Sequence, residues 1–298
     1  MKIRLALLIG TLALAGLGGA LILNYVLAQP ANIAKFDGQR ALRDVETQVN
    51  FGPRIGGSPA QAAFIQWLSG ELELAGWQVE LQQTTYQGKP ILNVIARRGT
   101  GAQWVVLGAH YDSRLHADRD PDPAKQTTPV PGANDGASGV AILVELARTL
   151  PQEMDQEIWL VFFDAEDNGR IDDWDWILGS RAFAESLQSK PDAAIIVDMI
   201  GDADLQIHWE MNSDPVLNQE IWQVAEELGY HQFIPEAKYS ILDDHIPFVQ
   251  LGIPAVDIID IDYAYYHTTQ DTSDKVSAQS LEAVGSTLLA WLTNRLDR

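Results

Sequence analysis

The sequence predicts an α/β fold: a single three-layer domain whose mixed, mostly parallel central sheet is flanked by helices. Three observations predict it. Continuous apolar runs of strand length recur at 104–112, 157–167, 193–201 and 253–260, as expected of strands buried on both faces. Stretches with apolar residues at helical spacing lie between them. Alternation of the two along the chain implies crossover connections and a sheet covered on both sides. No internal repeat, low-complexity tract or inter-domain linker interrupts the pattern.

The elements follow in order. Lys2 and Arg4 precede an uncharged run from Leu5 to Ala34, and Val26-Leu27-Ala28 forms a small-residue cleavage site. Residues 1–28 are therefore expected to be a signal peptide or an uncleaved membrane anchor, with the folded region over 29–298. Positive charge at the front holds that end in the cytoplasm and sends the rest outward. The protein is expected to be periplasmic, secreted or anchored, touching membrane only through this segment. Gly16-Leu17-Gly18-Gly19 follows no strand and is no dinucleotide fingerprint.

Residues 58–75 read as a helix, with Ser58 as N-cap and Pro59 in the first turn. Alternation over 77–86 reads as a strand, and Gly88-Lys89 turns the chain into another at 90–98. The buried strand 104–112 leads to a polar loop at 114–131 and an amphipathic helix at 137–150. A second buried strand spans 157–167, a helix 179–188 and a third strand 193–201. A helix over 216–229 ends at Gly229, a fourth strand spans 253–260, and a helix over 278–296 closes the fold.

Composition narrows the function. The 298 residues carry 41 Asp+Glu against 20 Lys+Arg, a net charge of −21. A duplex nucleic-acid binder needs a basic footprint, so that class is excluded. There is no cysteine, which excludes thiol catalysis, disulfides and thiolate metal sites. Any metal site must be built from His, Asp and Glu.

Such residues gather where α/β sheets place their sites, at the carboxyl ends of strands. The first buried strand ends at His110 and Asp112, and the following junction offers Asp135. The second ends at Asp164, Glu166 and Asp167, the third at Asp198, and His267 follows the fourth. Taken singly, Asp135 could cap a helix, Asp198 could accept a structural hydrogen bond, and His267 could be a loop residue. Together they form the pattern of a co-catalytic metal site, for which zinc with His nitrogen and carboxylate oxygen is suited. Glu166, next to Asp167, supplies a carboxylate free to move protons.

Other motifs fall away. Residues 118–122 mimic the start of a calcium loop, but Pro123 and Pro129 stand where Gly and Glu are needed. Ser138 lacks the spacing of a nucleophile elbow, and His245 has no HExxH partner. Trp174 and Trp176 sit in a polar, acidic stretch where core packing explains them poorly.

The sequence resembles the zinc aminopeptidase family M28 and its glutaminyl cyclase branch. The resemblance rests on GAHYDSR (108–114), PGANDGASGVAILVELAR (131–148), FFDAEDNG (162–169), WILGSRAFAE (176–185), IIVDMIGDAD (195–204), DDHIPFVQLGIPA (243–255) and YYHTTQDTSDKV (265–276). It implies a zinc-exopeptidase-like fold in which Asp135, Asp167 and His267 hold zinc and Glu166 shuttles protons. His110 and Asp198 would complete a second zinc site in the two-metal aminopeptidases. In the cyclases one zinc is kept, and Asp198 would join Asp243 in a hydrogen-bonded acid network. Asp243 favours the cyclase, because aminopeptidases commonly carry Ser there. Asp167 stands where many relatives have Glu, and Tyr266 where animal cyclases have Trp. The expectation is a one-zinc cyclase acting on the free N-terminus of peptides or proteins, with Trp174, Trp176 and Tyr266 walling the substrate pocket. The alternatives are a two-zinc aminopeptidase and a binding domain without metal.

Overall fold

The apolar runs of the sequence become the middle of a six-stranded sheet. The computed structural model describes residues 35–296, so the expected leader lies outside the described residues. Among these no helix is long and apolar enough to cross a membrane. In sequence order the elements are α1 (Gly38–Asn50), α2 (Pro59–Leu74), β1 (Gln78–Tyr86), β2 (Lys89–Arg98), β3 (Trp104–His110), α3 (Ala137–Thr149), β4 (Glu157–Phe163), α4 (Leu178–Ser186), β5 (Ala193–Asp198), β6 (Ile207–Glu210), α5 (Pro215–Leu228), β7 (Phe233–Tyr239), α6 (Ile246–Gln250), β8 (Ala255–Ile259) and α7 (Ala278–Leu296).

Local chemistry accounts for many of the boundaries. Ser58 Oγ accepts the Gln61 N–H at the start of α2, and Pro59 occupies its first turn. Gly229 ends α5 in the left-handed conformation. Gln87 and Gly88 both have positive φ, the two-residue turn whose twist suits an antiparallel hairpin between Tyr86 and Lys89.

The sheet order is β1-β2-β4-β3-β5-β8. β4, β3, β5 and β8 run parallel, while β1 and β2 extend the sheet antiparallel. The carboxyl ends of the four parallel strands therefore share one edge. Even-numbered β3 residues such as Val106 face α4 and α6, packing with Phe163, Phe183, Ile196 and Phe248. The opposite face meets α3, where Gly139 comes so close that a Cβ would lie 2.4 Å from the Val197 carbonyl oxygen. That approach brings the start of α3 against β5. A two-stranded parallel sheet, β6-β7, stands beside this core.

Four elements escape the sequence pattern: α1, α6, β6 and β7. α6 and β6 are too short for a periodic signal, and β7 is mostly exposed. The expected strands at 157–167, 193–201 and 253–260 end earlier, at Phe163, Asp198 and Ile259. The residues beyond turn into the loops that carry the acids.

Candidate metal centre

Two triads of buried side chains meet at the shared strand edge. His110, Asp135 and Asp198 form one; Asp135, Asp167 and His267 form the other. His110 Nε2 lies 3.2 Å from Asp135 Oδ1 and 3.0 Å from Asp198 Oδ1. His267 Nε2 lies 2.8 Å from Asp167 Oδ1 and 3.6 Å from Asp135 Oδ2. Asp135 thus presents one oxygen to each histidine and bridges the triads. It does not cap α3, whose N-cap is Gly136 without any side-chain cap bond.

These residues fit zinc. Tetrahedral ligands at zinc–ligand distances near 2 Å are roughly 3.3 Å from one another, close to the separations above. Asp135 Oδ2 and Asp167 Oδ2 are buried with no hydrogen-bond donor among the described residues, which is costly unless a cation or ordered solvent meets them. The donor set is His nitrogen and carboxylate oxygen, as borderline cations require.

Neighbouring side chains hold the triad residues in place. Asp112 accepts the backbone N–H groups of Glu166 (3.0 Å) and Asp167 (3.2 Å), shaping the turn after β4 so that Asp167 joins a triad while Glu166 lines the adjoining cavity. Asp112 Oδ1 also stands 3.5 Å from His110 Nδ1, the side of the ring facing away from the triad. Asp271 accepts the N–H groups of Asn134 (2.8 Å) and Asp135 (3.2 Å) and the Tyr263 hydroxyl (2.8 Å). Ala165, Met199 and His267 adopt positive φ, a strained conformation that concentrates at functional sites.

The electrostatics reflect many acids in little solvent. Burial, with the charges of Asp167, Asp243 and Asp244 added and His110 opposing, holds Glu166 well above the ordinary carboxyl range. Burial and the nearby charge of Asp198 push Asp243 up to about 7. Burial raises Asp198 too, against His110, and burial with Asp135 lifts Asp167 to about 6. Burial alone would lower His267, but the charge of Asp167, the hydrogen bond to it and the nearby Asp118 carboxylate carry it to about 9. A field this negative favours a divalent cation as it favours protons.

A cavity of about 250 Å³ opens beside the triads. Asp135, Glu166, Asp167, Asp198 and Asp243 line its polar side; Trp176, Tyr266, Leu242 and Ile261 line its apolar side. Of the aromatics singled out from sequence, Trp176 and Tyr266 reach it. Trp174 does not: its ring packs with Ile91, Ala165 and Leu178, with Lys89 Nζ 4.8 Å above it. Its acidic neighbours in the sequence suggest exposure, but the bend at Asp172 and Asp173, both at positive φ, turns it inward.

Sequence reasoning missed Arg114, Asp118 and Asp271. Each acts on a ligand from outside its triad, so only the fold reveals it. Asp164 stands with the strand-end acids in the sequence, yet it joins neither triad. It accepts from Gln61 Nε2 and the Leu92 N–H, both at 3.0 Å.

The protein matches the family model described as Peptidase family M28 over residues 93–292. A glutaminyl cyclase from Porphyromonas gingivalis superimposes with a TM-score of 0.82 at 34% identity, covering 88% of this chain and 100% of that one. A leucine aminopeptidase precursor from Bacteroides thetaiotaomicron gives a TM-score of 0.81 at 32% identity, covering 88% and 99%. A glutaminyl-peptide cyclotransferase-like protein from Bos taurus is 25% identical, with 82% of this chain and 72% of that protein aligned.

Proposed function

The protein belongs to peptidase family M28, and from that premise we propose that it is a zinc-dependent glutaminyl-peptide cyclotransferase. The observation that carries this reading is Asp243, a buried carboxyl in the cavity wall whose strongest charged neighbour is Asp198. Burial and the charge of Asp198 disfavour ionisation of Asp243, so the pair retains a proton where a lone acid would lose it. A retained proton serves an intramolecular acyl transfer, where it can donate to a developing oxyanion.

The residues divide the work as follows. Asp135, Asp167 and His267 would hold the zinc. The ion supplies Lewis-acid polarisation of the γ-carbonyl of an N-terminal glutamine. The neutral α-amine attacks that carbon, forming the ring C–N bond. Glu166 accepts a proton from the amine and returns it to the departing nitrogen, so that the bond between the γ-carbon and the amide nitrogen breaks and ammonia leaves. A carboxyl held high by burial suits a group that must take and give the same proton. Asp198 and Asp243 steady the intermediate, and Trp176 and Tyr266 exclude water from the glutamine pocket. Peptides with a free N-terminal glutamine are the substrates. The charge pattern and apolar run of residues 1–28 support a location outside the cytoplasm.

A second reading has its own observation. The His110–Asp135–Asp198 triad is complete, and a second zinc there would suit an aminopeptidase in which Glu166 activates water. Incubating zinc-loaded protein with a Gln-initiated and a Leu-initiated peptide separates the two. Mass spectrometry is expected to find ammonia lost from the first and the second unchanged. Removal of the leucine residue would favour the peptidase.

A further inference from the structure

Arg54 is the largest side chain with no solvent exposure among the described residues. It lies between α1 and α2, before the stretch that matches the family model. Its guanidinium makes no ion pair among the described residues. It donates instead to three backbone carbonyls: Nε to Tyr111 at 2.7 Å, Nη1 to Pro131 at 3.3 Å and Nη2 to Gly132 at 2.6 Å. Its own backbone is tied to the same segment, since its N–H donates to Ser113 Oγ at 3.3 Å and its carbonyl accepts the Ser113 N–H at 3.4 Å.

The partners of this side chain are adjacent to metal ligands. Tyr111 follows His110 at the end of β3, and Gly132 opens the turn that delivers Asp135. That turn wraps the guanidinium closely. Gly132 has φ +71°, and a Cβ there would lie 2.8 Å from Arg54 Nη2. Gly136 has φ +96°, and a Cβ there would lie 3.4 Å from the same atom. The acids whose charge Arg54 feels most are Asp271, Asp112 and Asp135, two that position ligands and one that is a ligand.

We propose that Arg54 is a positioning residue of the metal centre: its planar fork spans the carbonyls of Tyr111 and Gly132 and so fixes the turn carrying Asp135, the residue common to both triads, against the end of β3. A lysine is a point donor on a flexible stem and cannot hold two carbonyls at a fixed angle. Without the guanidinium the Gly132 carbonyl would keep only the Ala137 N–H at 3.3 Å, and the turn would be held less tightly. The inference rests on the zinc reading above, and the two fail separately in the test.

The test is zinc affinity measured by competition with a chelator, on metal-stripped full-length protein, well below the unfolding midpoint followed by circular dichroism. Wild-type protein that takes up no zinc would sink the zinc reading itself. If wild type binds zinc, Arg54→Lys and Arg54→Gln are each expected to lose affinity by roughly 10-fold or more, as changes behind metal ligands do. Lys with wild-type affinity would reduce Arg54 to a counter-charge. A lowered unfolding midpoint with zinc affinity unchanged would make its role structural only. Should neither variant fold, Gly132→Ala presses a methyl group against Ser113 Oγ, the same guanidinium and the Asp135 carbonyl. It too is expected to weaken zinc binding, and wild-type affinity there overturns the proposal.

Discussion

The Trp176 indole lies parallel to the His267 imidazole, with ring centres 6.1 Å apart and 7° between their planes. Arg114 also packs on this indole, its guanidinium carbon 4.8 Å from the Trp176 ring centre. Arg114 Nη1 donates to the Asp167 carbonyl at 2.6 Å, while Nε and Nη2 hold Asp118. Asp118 Oδ1 in turn stands 3.6 Å from His267 Nδ1. One arginine thus ties a cavity wall to two residues of the Asp135–Asp167–His267 triad.

Removing the ligand and removing the wall should have different effects. His267→Ala is expected to abolish activity and lower zinc content while the fold survives. Trp176→Ala is expected to keep its zinc and raise KM by roughly 10-fold, since it loses apolar contact more than chemistry. Zinc analysis with steady-state kinetics checks both. Full activity in His267→Ala would end the zinc assignment.

Glu166 and Asp167 are neighbours to which the proposed mechanism gives separate duties. Glu166→Gln is expected to retain zinc while kcat falls by roughly 10²-fold or more, the usual scale for a lost proton shuttle. Asp167→Asn is expected to lose zinc affinity first. Swapped phenotypes would show that the two roles are reversed.

Asp243 separates the two enzymatic readings. Asp243→Asn keeps the shape but removes the retained proton, so pyroglutamate formation is expected to fall sharply with one zinc still bound per protein molecule. Two zinc ions per molecule, one of them lost in His110→Ala together with peptide-bond hydrolysis, would favour the aminopeptidase.

Stability should depend on pH in a defined direction. Asp164, Asp243 and Asp271 are each raised from an ordinary 3.8 to about 7, chiefly by burial. The folded state therefore binds more protons than the unfolded state between those values. This contribution is fully present below 3.8 and is lost as pH rises through about 7. Chelator-treated protein is expected to show a falling unfolding midpoint across that window. Zinc should flatten the fall, because its ligands bind it better once deprotonated. A flat profile with chelator present would contradict the buried-acid arrangement.

The strand-end acids were legible in the sequence because the signal was local. An apolar run as short as 104–110, bounded by polar residues, suits a strand buried on both faces, whose polar end then falls at the sheet edge. Four such runs in parallel placed His110, Asp135, Asp167, Asp198 and His267 near one another from pattern alone. The helix after Ser58 was equally legible, and the hairpin turn was legible one residue off, expected at Gly88-Lys89 and found at Gln87-Gly88, since capping and turn chemistry are encoded within a few residues.

Long-range contact decided the rest. No spacing along the sequence announces that Asp271 would receive the N–H groups of Asn134 and Asp135, or that Arg54 would close on a turn near residue 132. Nor does composition reveal that Trp174 packs inward while Trp176, two residues on, faces the cavity. By itself the sequence determined the sheet, its helical cover and the residue types at its edge, because periodicity and hydrophobicity act over neighbours. Only the tertiary structure decided which carboxylates enter the triads, which stand behind them, and that Asp135 bridges both triads, because those placements depend on atoms that folding brings together from distant places.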